Sequence, residues 1–258
     1  MAERVDLTEA AERIRNFYAD ELDETGLDGY VVGVSGGLDS ALALRLAVDA
    51  VGADEVLGMV LPGEPSSAEN MRDARQLCRR HDVEFRERHI GPMVREFVDA
   101  LPTDCSKTTV GNVRARVRMV LLYEAANERD LLVVGPDNRS EYLLGYFTKY
   151  GDGAADVAPL GDLYKTEVYD LAREVGLPEK YVEKTPTAEL WEGQTDEGEI
   201  GAPYEDVDPV LKAYVEDGLD VTATIERTGV ESETVERLVD MYEGSTHKRE
   251  RPPTPGLR

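Results

Sequence analysis

Cysteine is nearly absent: Cys78 and Cys105 are the only two in 258 residues. Neither a disulfide framework nor a thiolate metal site can be read from so few. Lysine is scarce as well. Seven lysines and 22 arginines face 53 acidic residues, a formal net charge of −24. Such a surface repels nucleic acid and acidic membranes, because phosphate binding ordinarily uses a basic stripe. No apolar run approaches the roughly 20 residues that span a bilayer. The opening MAERVDLTEAAERIRNF has neither the basic start nor the apolar block of a secretory signal. These absences point to a cytoplasmic chain with no nucleic-acid and no membrane partner. The acids run along the whole chain and form no tail. This pattern fits proteins of salt-loving organisms, where self-repulsion is screened within about 3 Å at 1 M salt.

What is present is a globular α/β pattern. A hydrophobic content of 41% supports a real core. Apolar spacing predicts a first helix over residues 7–22, then a buried strand at 30–34 and a helix over 39–51 ended by Gly52. A second strand is expected at 55–61, a helix with a serine start at 66–81, and a third strand at 83–90. A long helix fits 110–130, a fourth strand 131–135, and a further helix 165–176, stopped by Gly176 and Pro178. This alternation implies one domain over 1–258, a doubly wound parallel sheet with helices on both faces. Segment 185–208 is polar, acidic and broken by Gly and Pro, so it is expected to be a lid or disordered. Short helices and a tail with a basic cluster, STHKRERPPTPGLR, fill 209–258.

Ligands of such sheets bind beyond the carboxyl ends of the strands. Two motifs lie there: GVSGGLDS, residues 33–40, and GPDNRSE, residues 135–141. The first places glycines and serines at a strand-to-helix turn, where backbone N–H groups and the helix dipole favour an anion. Asp39 in that turn would repel a phosphate unless it holds a bridging divalent cation. A helix N-cap is the alternative for this aspartate. The turn lacks the Gly-Lys-Ser/Thr of a Walker loop and the third glycine of a dinucleotide fingerprint.

SGGLDS resembles the pyrophosphate loop of the ATP pyrophosphatases, which adenylate a substrate before a nitrogen or sulfur nucleophile displaces AMP. GNVRARVRM, GYFTKYGDGAADVAPLGDLYKTEV, KTPTAELWEGQTDEGEIG and STHKRER follow in order. With them, the chain from about residue 30 to 250 resembles the ammonia-dependent NAD synthetases. The resemblance implies an adenine nucleotide alpha hydrolase-like, Rossmann-like fold and an enzyme that amidates deamido-NAD with ATP, Mg²⁺ and ammonia. It further implies a homodimer, with ammonia free or supplied by a separate glutaminase partner.

Carried over residue by residue, the resemblance assigns Gly33, Val34, Ser35, Gly36, Gly37, Leu38, Asp39 and Ser40 to the ATP phosphates. Asp39 and Glu141 match the Mg²⁺ ligands, and Lys165 and Thr187 match ATP contacts; Asp39 and Lys165 are the expected catalytic pair. Arg116, Lys149, Asp156, His247 and Lys248 match the deamido-NAD site, which is how Arg116 is preferred over Arg114 and Arg118. Pro136 stands where the family commonly has an ATP-binding threonine; proline offers neither a hydroxyl nor an N–H, so its carbonyl is the expected contact to the adenine or ribose of ATP. Simpler readings stand beside these: a solvated loop acid for Glu141, a helix cap for Thr187, a disordered basic end for His247 and Lys248. Two other functions stay open as well. One is another ATP pyrophosphatase, of the GMP-synthetase or tRNA-thiolation type; the other is a non-catalytic adenine-nucleotide sensor.

Overall fold

The computed structural model describes residues 5–101 and 105–256. Residues 1–4 and the last two of the basic tail lie outside the described residues. Helix α1 (Leu7–Thr25) opens on an Asp6 cap and precedes strand β1 (Gly29–Gly33) and helix α2 (Leu38–Val51). Next come β2 (Val56–Val60), α3 (Ala68–Arg80), β3 (Glu84–Glu87), α4 (Gly91–Asp99), α5 (Lys107–Arg129) and β4 (Leu131–Val134). The C-terminal half is helical: α6 (Arg139–Leu144), α7 (Lys165–Glu174), α8 (Glu179–Val182), α9 (Asp196–Ile200), α10 (Tyr204–Leu211), α11 (Val221–Thr228), α12 (Ser232–Gly244) and α13 (Thr246–Arg249).

All four strands are parallel, in the order β3-β2-β1-β4. The strands of the sheet centre are continuous apolar runs because both of their faces are covered. Tyr30 and Val32 of β1 pack toward α1, α2, α3 and α7, with Tyr18, Leu46, Leu77 and Leu171. Val31, Leu57 and Val133 point the other way, against Ile90, Val94 and Val117 near and on α4 and α5. A separate core, including Leu144, Val207, Leu211 and Leu238, joins α6, α10 and α12. Among the described residues no helix is long and apolar enough to cross a membrane.

The chain leaves β1 toward β2 on one side, while β4 lies on the other. The order therefore switches between β1 and β4, and a crevice opens beyond their carboxyl ends. Both candidate motifs emerge into it.

Several expectations change. Helices α4, α6 and α11 were not legible, being short or weakly periodic. Segment 185–208 is folded: Thr195 caps α9, and Gln194, Asp196, Ile200 and Tyr204 are buried. His247 and Lys248 belong to α13 and to no loose end.

Candidate active site

The GVSGGLDS turn is stitched by its own serines. Ser35 Oγ accepts from Gly37 N at 3.2 Å, Ser40 Oγ donates to the Gly37 carbonyl at 3.2 Å, and the two hydroxyls lie 3.1 Å apart. Gly36 has φ +84°, and a Cβ there would sit 2.2 Å from the Asn70 carbonyl. Only glycine combines that conformation with that approach. Gly37 is the N-cap of α2, so Asp39 falls inside the first turn and caps nothing. Its carboxylate is left to face the crevice.

At the other strand end, Asn138 and Glu141 form a reciprocal capping box on α6. Asn138 Oδ1 accepts from Glu141 N at 3.1 Å, and Glu141 Oε2 accepts from Asn138 N at 3.3 Å. The loop-acid reading of Glu141 therefore fails. Asn138 is wholly buried and also donates from Nδ2 to Asp39 Oδ1 at 3.1 Å. It ties the two motifs together.

Lys165 completes the group. Its ammonium lies 2.5 Å from Asp39 Oδ2 and 3.4 Å from Glu141 Oε1, with the residue only 2% exposed. As the first residue of α7, this cation meets the unfavourable end of a helix dipole. Buried Asp208 offsets that. Asp208 Oδ2 accepts from Thr166 N at 2.8 Å, and Oδ1 accepts from Ser140 Oγ at 2.5 Å. Ser140 Oγ in turn accepts from Lys165 N at 2.9 Å. Burial alone would lower the Lys165 ammonium, but the Asp39, Glu141 and Asp196 carboxylates outweigh it and hold it above the ordinary lysine range. Burial pushes the Glu141 carboxyl up to about 8, against the pull of Lys165 and with Asp39 and Asp196 adding to it.

One cavity takes in Ser35, Asp39, Pro136, Glu141, Lys165 and Thr187. Every residue expected to bind ATP lines it except Gly36, which holds the turn from behind. Part of its lining, with Val34, Met59, Leu61, Met119 and Leu122, is apolar and suits a heteroaromatic ring. Thr187 caps no helix; its hydroxyl donates to the Gln194 carbonyl at 2.7 Å.

The other five expected residues do not line this cavity. Arg116 donates to the Lys149 carbonyl at 3.1 Å, and Lys149 donates to the His247 carbonyl. These three form one cluster. Lys248 donates to the Gly145 and Phe147 carbonyls at 2.6 and 2.9 Å. Asp156 sits apart, beside β4, accepting from Tyr123 Oη at 3.2 Å and Val133 N at 2.8 Å.

Sequence reasoning missed Asn138, Lys184, Asp196 and Asp208. Lys184 had one signal, its membership of so small a set of lysines; the others are buried polar residues with no local pattern. Asp196 is buried and its Oδ1 has no partner, although its Oδ2 accepts from Tyr204 Oη at 3.0 Å.

The donor set suits a hard cation. Asp39 and Glu141 already converge on one ammonium, and Asp196, whose Oδ1 has no partner, is a residue of the same cavity. Among the described residues no three acidic, His or Cys side chains form a closed metal cage. Magnesium uses no such cage when phosphates and waters supply its remaining ligands.

A family model for NAD synthase matches residues 10–252. The chain belongs to the NAD synthase family. The NH(3)-dependent NAD(+) synthetase of Halobacterium salinarum is 43% identical over 97% of this chain and 94% of its own length. That of Thermococcus kodakarensis is 42% identical over 97% and 98%. Among solved structures, the NMN synthetase of Francisella tularensis aligns with a TM-score of 0.87 and 33% identity, covering 98% of this chain and all of its own. The NH3-dependent NAD synthetase of Campylobacter jejuni aligns at 0.82 and 28%, covering 97% and 99%. As an NAD synthase family member, the chain has its two carboxylates and its lysine at the strand-order switch of a parallel sheet.

Proposed function

We propose that this protein amidates deamido-NAD with ammonia, cleaving ATP to AMP and pyrophosphate. The observation that carries this is the convergence of Asp39, Glu141 and Lys165 at the mouth of a phosphate-binding turn, in a chain of the NAD synthase family.

ATP lies with its triphosphate over residues 33–40 and its base against the apolar part of the lining. Asp39 and Glu141 would hold Mg²⁺, which supplies charge neutralisation on the phosphate oxygens. The nicotinate carboxylate attacks the α-phosphorus and pyrophosphate leaves, giving a mixed anhydride. Ammonia then attacks the acyl carbon and AMP leaves. Lys165, held charged, opposes the negative charge that grows at the phosphorus. Segment 185–208 excludes water, which would otherwise hydrolyse the adenylate.

The cluster of Arg116, Lys149 and His247 takes the phosphates of the dinucleotide, with Lys248 and Asp156 flanking it. Because this cluster is outside the ATP cavity, a homodimer that completes the dinucleotide site fits the arrangement. Val120 and Tyr150, each 56% exposed, are apolar surface for such a contact. The acidic surface fits a cytoplasmic enzyme of a salt-rich cell, and free ammonia or a separate glutaminase supplies the nitrogen.

A coupled assay in high KCl tests this reading. With ATP, Mg²⁺, ammonium and deamido-NAD, equal ammonium-dependent yields of NAD⁺, AMP and pyrophosphate are expected. Because one solved neighbour is an NMN synthetase, the mononucleotide nicotinate acceptor runs alongside; a preference for it reassigns the acceptor. No ATP cleavage at any salt overturns the enzyme and favours a nucleotide sensor.

A further inference from the structure

The cavity contains a second lysine that this mechanism leaves idle. Lys184 stands at the root of the 185–208 segment and lines the cavity with Ser35, Gly37 and Asn70. All three of its donors are engaged: the Gly36 carbonyl at 2.8 Å, Asn70 Oδ1 at 2.7 Å and Asp73 Oδ2 at 2.5 Å. The first acceptor belongs to the phosphate-binding turn itself. The ammonium is thus stationed beside the place where anionic oxygens gather, with the Tyr181 ring 5.6 Å away on its apolar side.

Asp73 is arranged so that Lys184 can leave it. Its other oxygen, Oδ1, accepts from Lys180 at 2.5 Å. When Lys184 turns toward the cavity, the carboxylate keeps one ion pair, and the cost of a lone buried charge does not arise. Lys165 has no such freedom, being shared between two carboxylates. A triphosphate entering a chain of net charge −24 calls for a cation that can be released to it.

We propose that Lys184 is that cation, exchanging Asp73 for the β- and γ-phosphate oxygens of ATP and staying with pyrophosphate as it departs. The proposal rests on the amidation reading and assigns this lysine to the leaving group. The exchange is one of ion pairs, with no covalent bond or proton changing hands.

Lys184→Met keeps the aliphatic stem and removes the charge. Calorimetric titration with pyrophosphate in Mg²⁺ is expected to show an affinity at least about tenfold weaker, as for loss of one charge-assisted contact, with AMP affinity within about twofold. A purely structural clasp would shift both probes together or neither, and either result overturns the proposal. Asp73→Asn leaves Lys184 in place and loosens its hold. Pyrophosphate is expected to bind this variant as tightly as wild type or tighter; weaker binding overturns the exchange. Wild-type turnover separates the two levels: no turnover sinks the amidation reading, whereas turnover with unchanged pyrophosphate affinity in Lys184→Met sinks only the role of the lysine.

Discussion

Lys165 Nζ lies 2.5 Å from Asp39 Oδ2 although 126 positions separate them in the chain. The pair exists because α2 and α7 begin at the same edge of the sheet, each presenting its first turn to the crevice. A buried ion pair of this kind is weak evidence for stability, since desolvation offsets much of the attraction. Its value is positional: on the proposed reading it holds a cation and a carboxylate where phosphoryl charge develops.

Asp39→Asn tests that pairing. It keeps the hydrogen bond to Asn138 and removes the charge, so the fold is expected to persist while kcat/KM falls by roughly 10²–10³-fold or more. Steady-state kinetics with a circular dichroism control measures both. A near-normal rate would remove Asp39 from the chemistry.

Asp208→Asn addresses the brace behind the site. Asp208 accepts from Ser140 Oγ and Thr166 N and so sets Glu141 on α6 against Lys165 on α7. Losing one acceptor is expected to lower kcat/KM by roughly 10–100-fold, the range for partners that orient functional ligands. Normal kinetics with a lower melting temperature would make Asp208 a purely structural residue.

Gly36→Ala puts a methyl 2.2 Å from the Asn70 carbonyl at φ +84°. Backbone strain of this kind costs on the order of 1–3 kcal/mol, and the turn must shift to relieve it. A lower melting temperature together with weaker ATP binding is the expected result. Gly26 has φ +66° with nothing within 4 Å of an added Cβ; Gly26→Ala is expected to leave ATP binding unchanged.

Acid stability follows from Asp73. Burial alone would raise its carboxyl, but hydrogen bonds and charge from Lys180 and Lys184 outweigh it and hold it below the ordinary range. A carboxyl depressed in the native state contributes stability above its unfolded pKa and loses it as pH falls through the native value. The gap in urea midpoint between wild type and Asp73→Asn is therefore expected to be full at pH 7 and to close below about pH 4. A gap that stays constant across that range would show that the ion pairs carry no net stability.

Much of the site was legible because its chemistry is written into short stretches. The turn at 33–40 announces itself through glycines that local backbone geometry requires, and Glu141 and Lys165 follow in recognisable motifs. The short helix α9 stayed illegible, since segment 185–208 carries little periodicity and folds only by burying Ile200 and Tyr204 in the C-terminal core. Thr187 shows the same limit. A cap and a loop contact look alike until the partner, here the Gln194 carbonyl, is in place.

By itself the sequence determined the alternation of strands and helices, the parallel sheet and the glycine-rich turn at 33–40, because burial patterns and glycine conformations act over a few residues. The tertiary structure alone decided that Asn138 joins Asp39 to Glu141, that Asp208 braces Lys165, and that Lys184 reaches back 148 positions to Gly36. It also set Arg116, Lys149 and His247 together outside the cavity that holds Asp39, Glu141 and Lys165. Those contacts depend on how distant helices pack, and a buried polar side chain finds its partner only once that packing has excluded water.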